Sequence, residues 1–374
     1  MNFYYNPVRL YWDFKCIKDL GPCIEGLNVK KILLIKWSEI ALDNSAGKEM
    51  YEMLSEYEVS EIIFEKSNPD INDLYELYKE QCKGKPELII AVGGGSVLDV
   101  AKSLAAILDN DYSNIDELRQ AIIRKDTGKP YCPWIGMPTT SGTGSEVTCW
   151  ATIWDGEKGS KLSLENNENY AYAAFVNPQF TASMPIKLVV SSALDAVAHA
   201  TESYWAKAHN LVSGVNAIRA INLIMTNIEK IIESPDEELY LAMAEASMLA
   251  GRAFSNTKTT ACHSISYPLT LYYGIPHGVA VSMLLPSLLK VNEKKIENMD
   301  DLLSAFGVND IDGAGNKIFD ILNKVGISYK LSEWGIKEEE IGIIADNCFT
   351  KGRMENNPVD LNKEDVEEIL RNIY

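Results

Sequence analysis

Histidine is scarce in this 374-residue chain: there are four, at positions 199, 209, 263 and 277. The seven cysteines (16, 23, 82, 132, 149, 262, 348) are scattered and odd in number, and none stands in a C-x-x-C pair. That pattern argues against a zinc knuckle or a disulfide framework and fits reduced thiols in the cytoplasm. No apolar run approaches the roughly 18 residues of a membrane helix, and the opening MNFYYNPVRLYW has no charged segment leading into an apolar one. Neither a membrane span nor a secretory signal is therefore expected. Positive charge is also short, 35 Lys and Arg against 53 Asp and Glu, a formal net charge of −18. A surface so acidic repels nucleic-acid phosphates and anionic lipid. There is no G-x-G-x-x-G, no Walker lysine, no internal repeat and no low-complexity tract.

What is present divides into two halves. In the first, strand-like runs (Lys31–Lys36, Glu61–Phe64, Glu87–Val92) alternate with helical stretches (Lys48–Glu56, Ile71–Gln81, Ser96–Leu108). Strand, helix, strand at that spacing predicts an open, parallel, Rossmann-like α/β sheet. Beyond Ser183 the apolar period is 3.6 in residues 191–207, 211–233, 236–254, 278–293 and 313–325, which predicts a second, all-helical domain. The expected division is 1–183 and 184–374, with Pro178 and Pro185 at the join.

Two turns have the composition of anion cradles. AVGGGSVLDVAK puts Gly93, Gly94 and Gly95 between a buried strand and a helix starting near Ser96, where free N–H groups and the helix dipole suit a pyrophosphate. PTTSGTGSE, residues 138–146, follows the strand-like Trp134–Met137 and predicts another, with Ser141 or Thr143 capping a helix and Glu146 near its third position.

The histidines supply the third feature. Asp195 and His199 are four apart in SSALDAVAHATESYW, on one face of a helix that Ser191 or Ser192 would cap. His263 and His277 follow in ACHSISYPLTLYYGIPHGVA, where Pro268, Gly274 and Pro276 break the stretch. One helix giving two ligands and a helix–loop–helix giving two more is a workable four-ligand site for a divalent cation. His209, in a Lys-Ala-His-Asn segment, reads as a solvated helix end.

These segments resemble the iron-containing (group III) alcohol dehydrogenase family through most of the chain: GGGSVLDVAK, PTTSGTGSEVT, the D-x-x-x-H at 195–199, and His263 and His277 with the PHG turn. The resemblance implies a dinucleotide-binding domain followed by a helical domain with metal in the cleft. It implies metal ligation by Asp195, His199, His263 and His277, and cofactor contacts from Asn68, Gly93, Gly94, Gly95, Ser96, Asp99, Thr139, Thr140, Thr143 and Lys161. Fe²⁺ is the metal the family name favours; Zn²⁺ suits the same N/O donors. Many members carry a proton-relay histidine four residues after the third ligand, where this chain has Tyr267. NAD-preferring relatives place an aspartate at the end of the second strand. Here Lys36-Trp37-Ser38 stands there, so NADPH is expected beside NADH, with Lys36 and Ser38 near its 2′-phosphate. A homodimer through an N-terminal edge strand within residues 1–15 is also implied.

ATIWDGEKGSKLSL, TESYW and NTKTTACHSISYPLTLYYGIPHG resemble the phosphonoacetaldehyde reductase branch, which implies reduction of phosphonoacetaldehyde to 2-hydroxyethylphosphonate. Arg252, Lys258, Thr259 and Arg353 are the residues expected to hold a dianionic phosphonate. The alternative within the enzyme class is a general short-chain alcohol or diol dehydrogenase with a pocket of Trp150, Phe254 and Tyr267. Two remoter alternatives are a dehydroquinate synthase-like lyase, which would carry glutamate at 195, and a non-catalytic nucleotide-binding protein.

Overall fold

The computed structural model describes residues 3–374. Two compact units emerge, residues 6–140 with 144–183, and residues 184–374 with 141–143 and the described N-terminal residues up to Tyr5.

The first unit is a six-stranded, wholly parallel sheet in the order β1-β8-β5-β4-β2-β3. Its strands are β1 (Arg9–Trp12), β2 (Lys31–Lys36), β3 (Glu58–Ile63), β4 (Leu88–Gly93), β5 (Trp134–Pro138) and β8 (Ala173–Val176). A hairpin of β6 (Trp150–Asp155) and β7 (Ser160–Glu165) stands apart. The helices of this unit are α1 (Leu20–Glu25), α2 (Ser45–Leu54), α3 (Ile71–Gln81), α4 (Gly95–Ile107) and α5 (Ile115–Arg124). Every residue of β4 and β5 is buried, as parallel strands covered on both faces require.

Local departures from expectation have physical causes. β3 begins at Glu58, three residues early, because it is an edge strand with a polar face and lacks a continuous apolar run. α2 begins at Ser45 because the Asn44 side chain accepts from Gly47 N at 2.9 Å and caps it there. The second glycine turn opens no α-helix. Gly144 takes a left-handed φ of 57°, and only a 3₁₀ turn, Ser145–Val147, follows. Neither Ser141 nor Thr143 caps it, and Glu146 is packed inside.

The chain leaves β3 and returns to β4 on the far side of β2, so the sheet changes direction between β2 and β4. Ligands of open α/β sheets bind outside the carboxyl ends of strands at such a point. The Gly93–Gly95 turn lies there, with Gly94 as the N-cap of α4. Thr139 N donates to Gly93 O at 3.0 Å, which draws the second turn against the first.

Beneath the two turns lies a buried polar cluster. Lys102 is fully buried, and its ammonium lies 2.9 Å from Ser145 O, 3.0 Å from Ser145 Oγ, 3.1 Å from Thr148 Oγ1 and 2.8 Å from Trp150 O. Asp99 accepts from Ser145 Oγ at 2.6 Å and from Thr152 N at 2.8 Å. The α4 side chains thereby set the path of residues 145–152.

The second unit is helical: α6 (Ile186–Trp205), α7 (Leu211–Glu233), α8 (Glu237–Thr257), α9 (Ala261–Tyr273), α10 (His277–Asn292), α11 (Met299–Phe306), α12 (Ile311–Lys324), α13 (Ile341–Asp346) and α14 (Lys363–Arg371). α6 starts five residues before Ser191, with Pro185 as N-cap. Ser191 and Ser192 are not caps; their hydroxyls bond back to Leu188 O in the preceding turn. α9 runs through Pro268 and ends at Gly274, whose φ is 66°. Ile265 and Leu269, both fully buried, hold the helix across the proline. α7 is long and apolar enough to cross a membrane by length and composition, but 44% of its most apolar window is buried in the helical core.

Glu146 provides a pH test of the α/β unit. Burial pushes its carboxyl up from 4.5 to about 7, with Lys102 opposing only in part. A carboxyl raised in the folded state contributes stability that is present below its unfolded value and lost as pH rises through the folded one. Denaturation midpoints of the wild type should therefore fall between about pH 5 and 8 relative to Glu146→Gln. Parallel slopes for the two proteins would contradict this.

Candidate metal centre

α6 is buried along most of its length, and its apolar run is interrupted by a polar stripe: Asp195, His199 and Glu202 at i, i+4 and i+7. α9 brings His263 against this stripe from its first turn, and His277 opens α10. Two glycines permit the approach. A Cβ on Gly278 would collide with the Ser191 carbonyl, and one on Gly142 would lie 2.7 Å from Ser192 Cβ.

Donor atoms of Asp195, His263 and His277 lie within 4.8 Å of one another. Asp195 Oδ1 is 3.6 Å from His263 Nε2 and 3.9 Å from His277 Nε2. His199 is not part of that mutually close set but lies alongside. Its ring stacks on His263 at 4.4 Å between centroids, and its Nδ1 is 3.9 Å from Asp195 Oδ2. Phe254 covers the ring of His199 at 4.1 Å and 8°, and Tyr267 stacks at 6.0 Å on His277.

The hydrogen bonds set the imidazole tautomers. His263 Nδ1 donates to Glu202 Oε2, and His199 Nδ1 donates to Gly142 O at 3.3 Å. Each ring thus presents the lone pair of its Nε2. Asp195 Oδ1 and His263 Nε2 are buried and have no hydrogen-bond partner. Two buried acceptors facing each other would be costly alone and suit a shared cation. Charge points the same way. Burial would raise the Asp195 carboxyl, but the three imidazoles outweigh it and hold Asp195 below the usual carboxylate range. Burial lowers His199 to about 4 despite Asp195. Burial would also lower His263, yet Glu202 and Asp195 raise it to about 10, so the cluster favours positive charge at Nε2 and a bound cation takes the place of the proton there, leaving a neutral ring as the ligand. One carboxylate and neutral imidazoles are the N/O donors of Fe²⁺ or Zn²⁺.

Glu202 was not among the residues expected from sequence. Its Oε1 accepts from Thr260 N, Thr260 Oγ1 and Cys262 N at 3.1, 2.7 and 2.7 Å, and its Oε2 holds His263. Its i+7 spacing from Asp195 was the available signal.

In the α/β unit, Asn68 N donates to Ser96 Oγ at 3.0 Å, so Asn68, Gly93, Gly94, Gly95, Ser96, Thr139 and Thr140 gather about the two turns. Asn68 takes a left-handed φ of 57° to do so. Lys161 lies on β7 with its charge acting on Asp99, and Trp150 opens β6. Both Asp99 carboxylate oxygens are engaged by protein donors, which gives that residue a bracing role in the turn. Thr143 belongs to the segment grouped with the helical unit.

Some expected placements change. Lys36 is buried, with its ammonium 2.7 Å from Glu61, 3.2 Å from Glu39 and 3.1 Å from Tyr51 OH, so it is not a cation awaiting a 2′-phosphate. Ser38 Oγ accepts from Ile40 N at 3.2 Å and caps a 3₁₀ turn. Arg252 Nε donates to Tyr4 OH at 3.3 Å. Thr259 is buried beside Lys258, and Arg353 lies on the loop before α14.

Glu202→Gln keeps the shape of the cluster but removes the charge that orients His263. Its affinity for the divalent metal should fall about 10–100-fold, read by chelator competition. Unchanged affinity would show that Glu202 serves packing only.

The iron-containing alcohol dehydrogenase family model matches residues 7–178, and the C-terminal model of the Fe-containing alcohol dehydrogenase family matches residues 189–374. The chain is 27% identical to alcohol dehydrogenase 4 of Saccharomyces cerevisiae, over 100% of this chain and 98% of that protein. It is 30% identical to 4-hydroxybutyrate dehydrogenase of Clostridium kluyveri over 76% of this chain and 78% of that one. Sulfoacetaldehyde reductase from Bifidobacterium kashiwanohense, solved in complex with NAD+, superposes with a TM-score of 0.89 at 26% identity, covering 100% and 98% of the two chains. With its open parallel sheet, its helical second unit and both family models matched, the chain belongs to the iron-containing alcohol dehydrogenases, oxidoreductases acting on CH–OH groups.

Proposed function

We propose that the chain is a metal-dependent NAD(P)H aldehyde reductase that converts phosphonoacetaldehyde to 2-hydroxyethylphosphonate. The observation that carries this reading is the donor cluster of Asp195, His263 and His277 with His199 alongside, together with cationic residues on segments tied to the same helices. The four residues would hold one divalent ion, Fe²⁺ or Zn²⁺, which when bound polarises a carbonyl oxygen. The turns of Gly93–Gly95, Ser96, Thr139 and Thr140 would hold the nicotinamide cofactor, which when bound would supply the hydride for the carbonyl carbon. Phe254 and Tyr267 wall the imidazoles of His199 and His277 with aromatic surface. Tyr267, stacked on His277 where many relatives have a relay histidine, presents a phenol as the proton donor. Lys258 and Arg353 supply cations for a phosphonate.

Two of the similar proteins support a small anionic aldehyde as the substrate class. One similar protein is named for sulfoacetaldehyde and another for 4-hydroxybutyrate, each an anion at the far end of a short chain. The second reading, a general short-chain alcohol or diol dehydrogenase, is favoured by the aromatic walls and by similar proteins named for methanol, butanol and 1,3-propanediol.

At the carboxyl end of β2, the single ammonium of Lys36 faces the carboxylates of Glu39 and Glu61. That local excess of negative charge repels a 2′-phosphate, so NADH is the favoured form of the cofactor. Steady-state kinetics tests both parts. The expected kcat/KM is about tenfold or more higher for phosphonoacetaldehyde than for propanal or butanal, by the worth of a charge-assisted contact, and higher with NADH than with NADPH. Equal rates across the aldehydes would support the general dehydrogenase, and an NADPH preference would overturn the cofactor reading.

The seven unpaired cysteines fit a reducing compartment such as the cytoplasm. A homodimer is proposed through β1, which pairs with β8 along one edge and ends the sheet on the other. Light scattering should read twice the chain mass, and Leu10→Pro should shift it toward the monomer; a wild-type monomer would dismiss the interface.

A further inference from the structure

Lys258, the residue that ends α8, has φ 62° and ψ 177°. This region of backbone space is costly for any residue with a Cβ and is essentially reserved for glycine. Of the four non-glycine residues at positive φ among the described residues, the other three are Asn28, Asn68 and Lys125. Lys125 has ψ 40°, the ordinary left-handed well at a helix end. Lys258 is in the extended counterpart, which offers a lysine no such shelter.

The surroundings hold the strain in place. Lys258 N donates to Phe254 O at 2.8 Å. Asn356 Nδ2 donates to Thr257 O at 2.8 Å and to Thr259 O at 3.1 Å, pinning the chain on both sides of Lys258. Thr257 Oγ1 is 3.0 Å from Lys258 O and 2.9 Å from Ser203 Oγ on α6. Asn356 is itself fixed, since Lys207 N donates to its carbonyl at 3.0 Å. A backbone so over-determined keeps a conformation that glycine would adopt without strain.

The braces also locate the residue relative to the donor cluster. Phe254, whose carbonyl receives Lys258 N, is the ring that covers His199. Two residues past Lys258, Thr260 gives both its N–H and its hydroxyl to Glu202, the carboxylate that holds His263. Lys258 is therefore joined to two of the imidazoles through short chains of hydrogen-bonded or stacked groups. Arg252 is placed differently: its guanidinium donates to Tyr4 OH, and Tyr4 OH donates to the Arg252 carbonyl at 3.2 Å.

We propose that Lys258 is the specificity-determining cation of this site, held in a glycine conformation so that its ammonium meets the anionic end of a short aldehyde (phosphonate, sulfonate or carboxylate). The strain is kept because the ammonium is needed there and a glycine could not supply it. This rests on the reading of the site as a reductase of anionic aldehydes, and it selects the residue that makes it one.

The test uses the metal- and cofactor-loaded enzyme and the variants Lys258→Gly, Lys258→Met and Lys258→Arg. For each, the ratio of kcat/KM for phosphonoacetaldehyde to that for propanal is measured, with the melting temperature. The wild type favours the phosphonate. Lys258→Gly and Lys258→Met lose about 10–100-fold of that ratio, the worth of a charge-assisted contact, while Lys258→Arg keeps most of it. Lys258→Gly also melts about 2–4 °C higher as the strain is released. A wild type that favours the phosphonate with Lys258→Gly and Lys258→Met that do so equally would overturn the role of Lys258 and leave the reductase reading standing. A wild type without preference would remove both. A lower melting temperature for Lys258→Gly would overturn the strain argument by making the lysine a structural residue.

Discussion

His263 lies between two carboxylates, and the helical unit is built around that pairing. Glu202 takes the proton on Nδ1 and Asp195 faces Nε2, with both acids on α6 and the imidazole on α9. Burying two carboxylates and an imidazole in a helix core is unfavourable unless each polar atom is satisfied. Glu202 meets that demand with three further donors from residues 260–262, so the first turn of α9 and the polar stripe of α6 fix each other. What remains unsatisfied is the pair aimed inward, Asp195 Oδ1 and His263 Nε2.

The same demand explains why small residues cluster here. Gly278 lets the amino end of α10 reach α6 and carry His277 with it, and Gly142 lets its carbonyl receive His199. Beyond these, Ser264 bonds to the Cys348 carbonyl and receives Thr350 N, which ties α9 to the loop that ends in Asn356. That loop pins the strained Lys258. Geometry at the donor cluster and geometry at a candidate substrate cation are thus set by one connected set of hydrogen bonds.

Much of this was legible in sequence, for reasons that differ by residue. Asp195 and His199 stood out because i, i+4 spacing on an apolar helix leaves few other uses for a buried acid and imidazole. The parallel sheet was visible in KILLIK and ELIIAV, since strands covered on both faces are apolar throughout. β1 and β8 were not visible: they are four residues each, and their pairing spans more than 160 positions. Glu202 escaped because a glutamate in a helix ordinarily faces water. The PTTSGTGSE turn has the composition of a helix cap, but Lys102 and Asp99 hold the chain after it in another path. Lys36 read as a phosphate-binding cation because its partners, Glu61 and Tyr51, lie on other elements. The backbone of Lys258 could not be read at all, since its strain is imposed by Asn356, some hundred residues away.

The claim on which the rest depends is that the Asp195–His263–His277 cluster, with His199 beside it, holds one divalent cation. Anomalous scattering at the iron and zinc edges, collected from crystals of the purified enzyme and of Asp195→Asn, tests it most directly. The account predicts one peak per chain, bounded by those four side chains, that disappears in the variant. A peak elsewhere in the chain, or one that persists unchanged in Asp195→Asn, would contradict it.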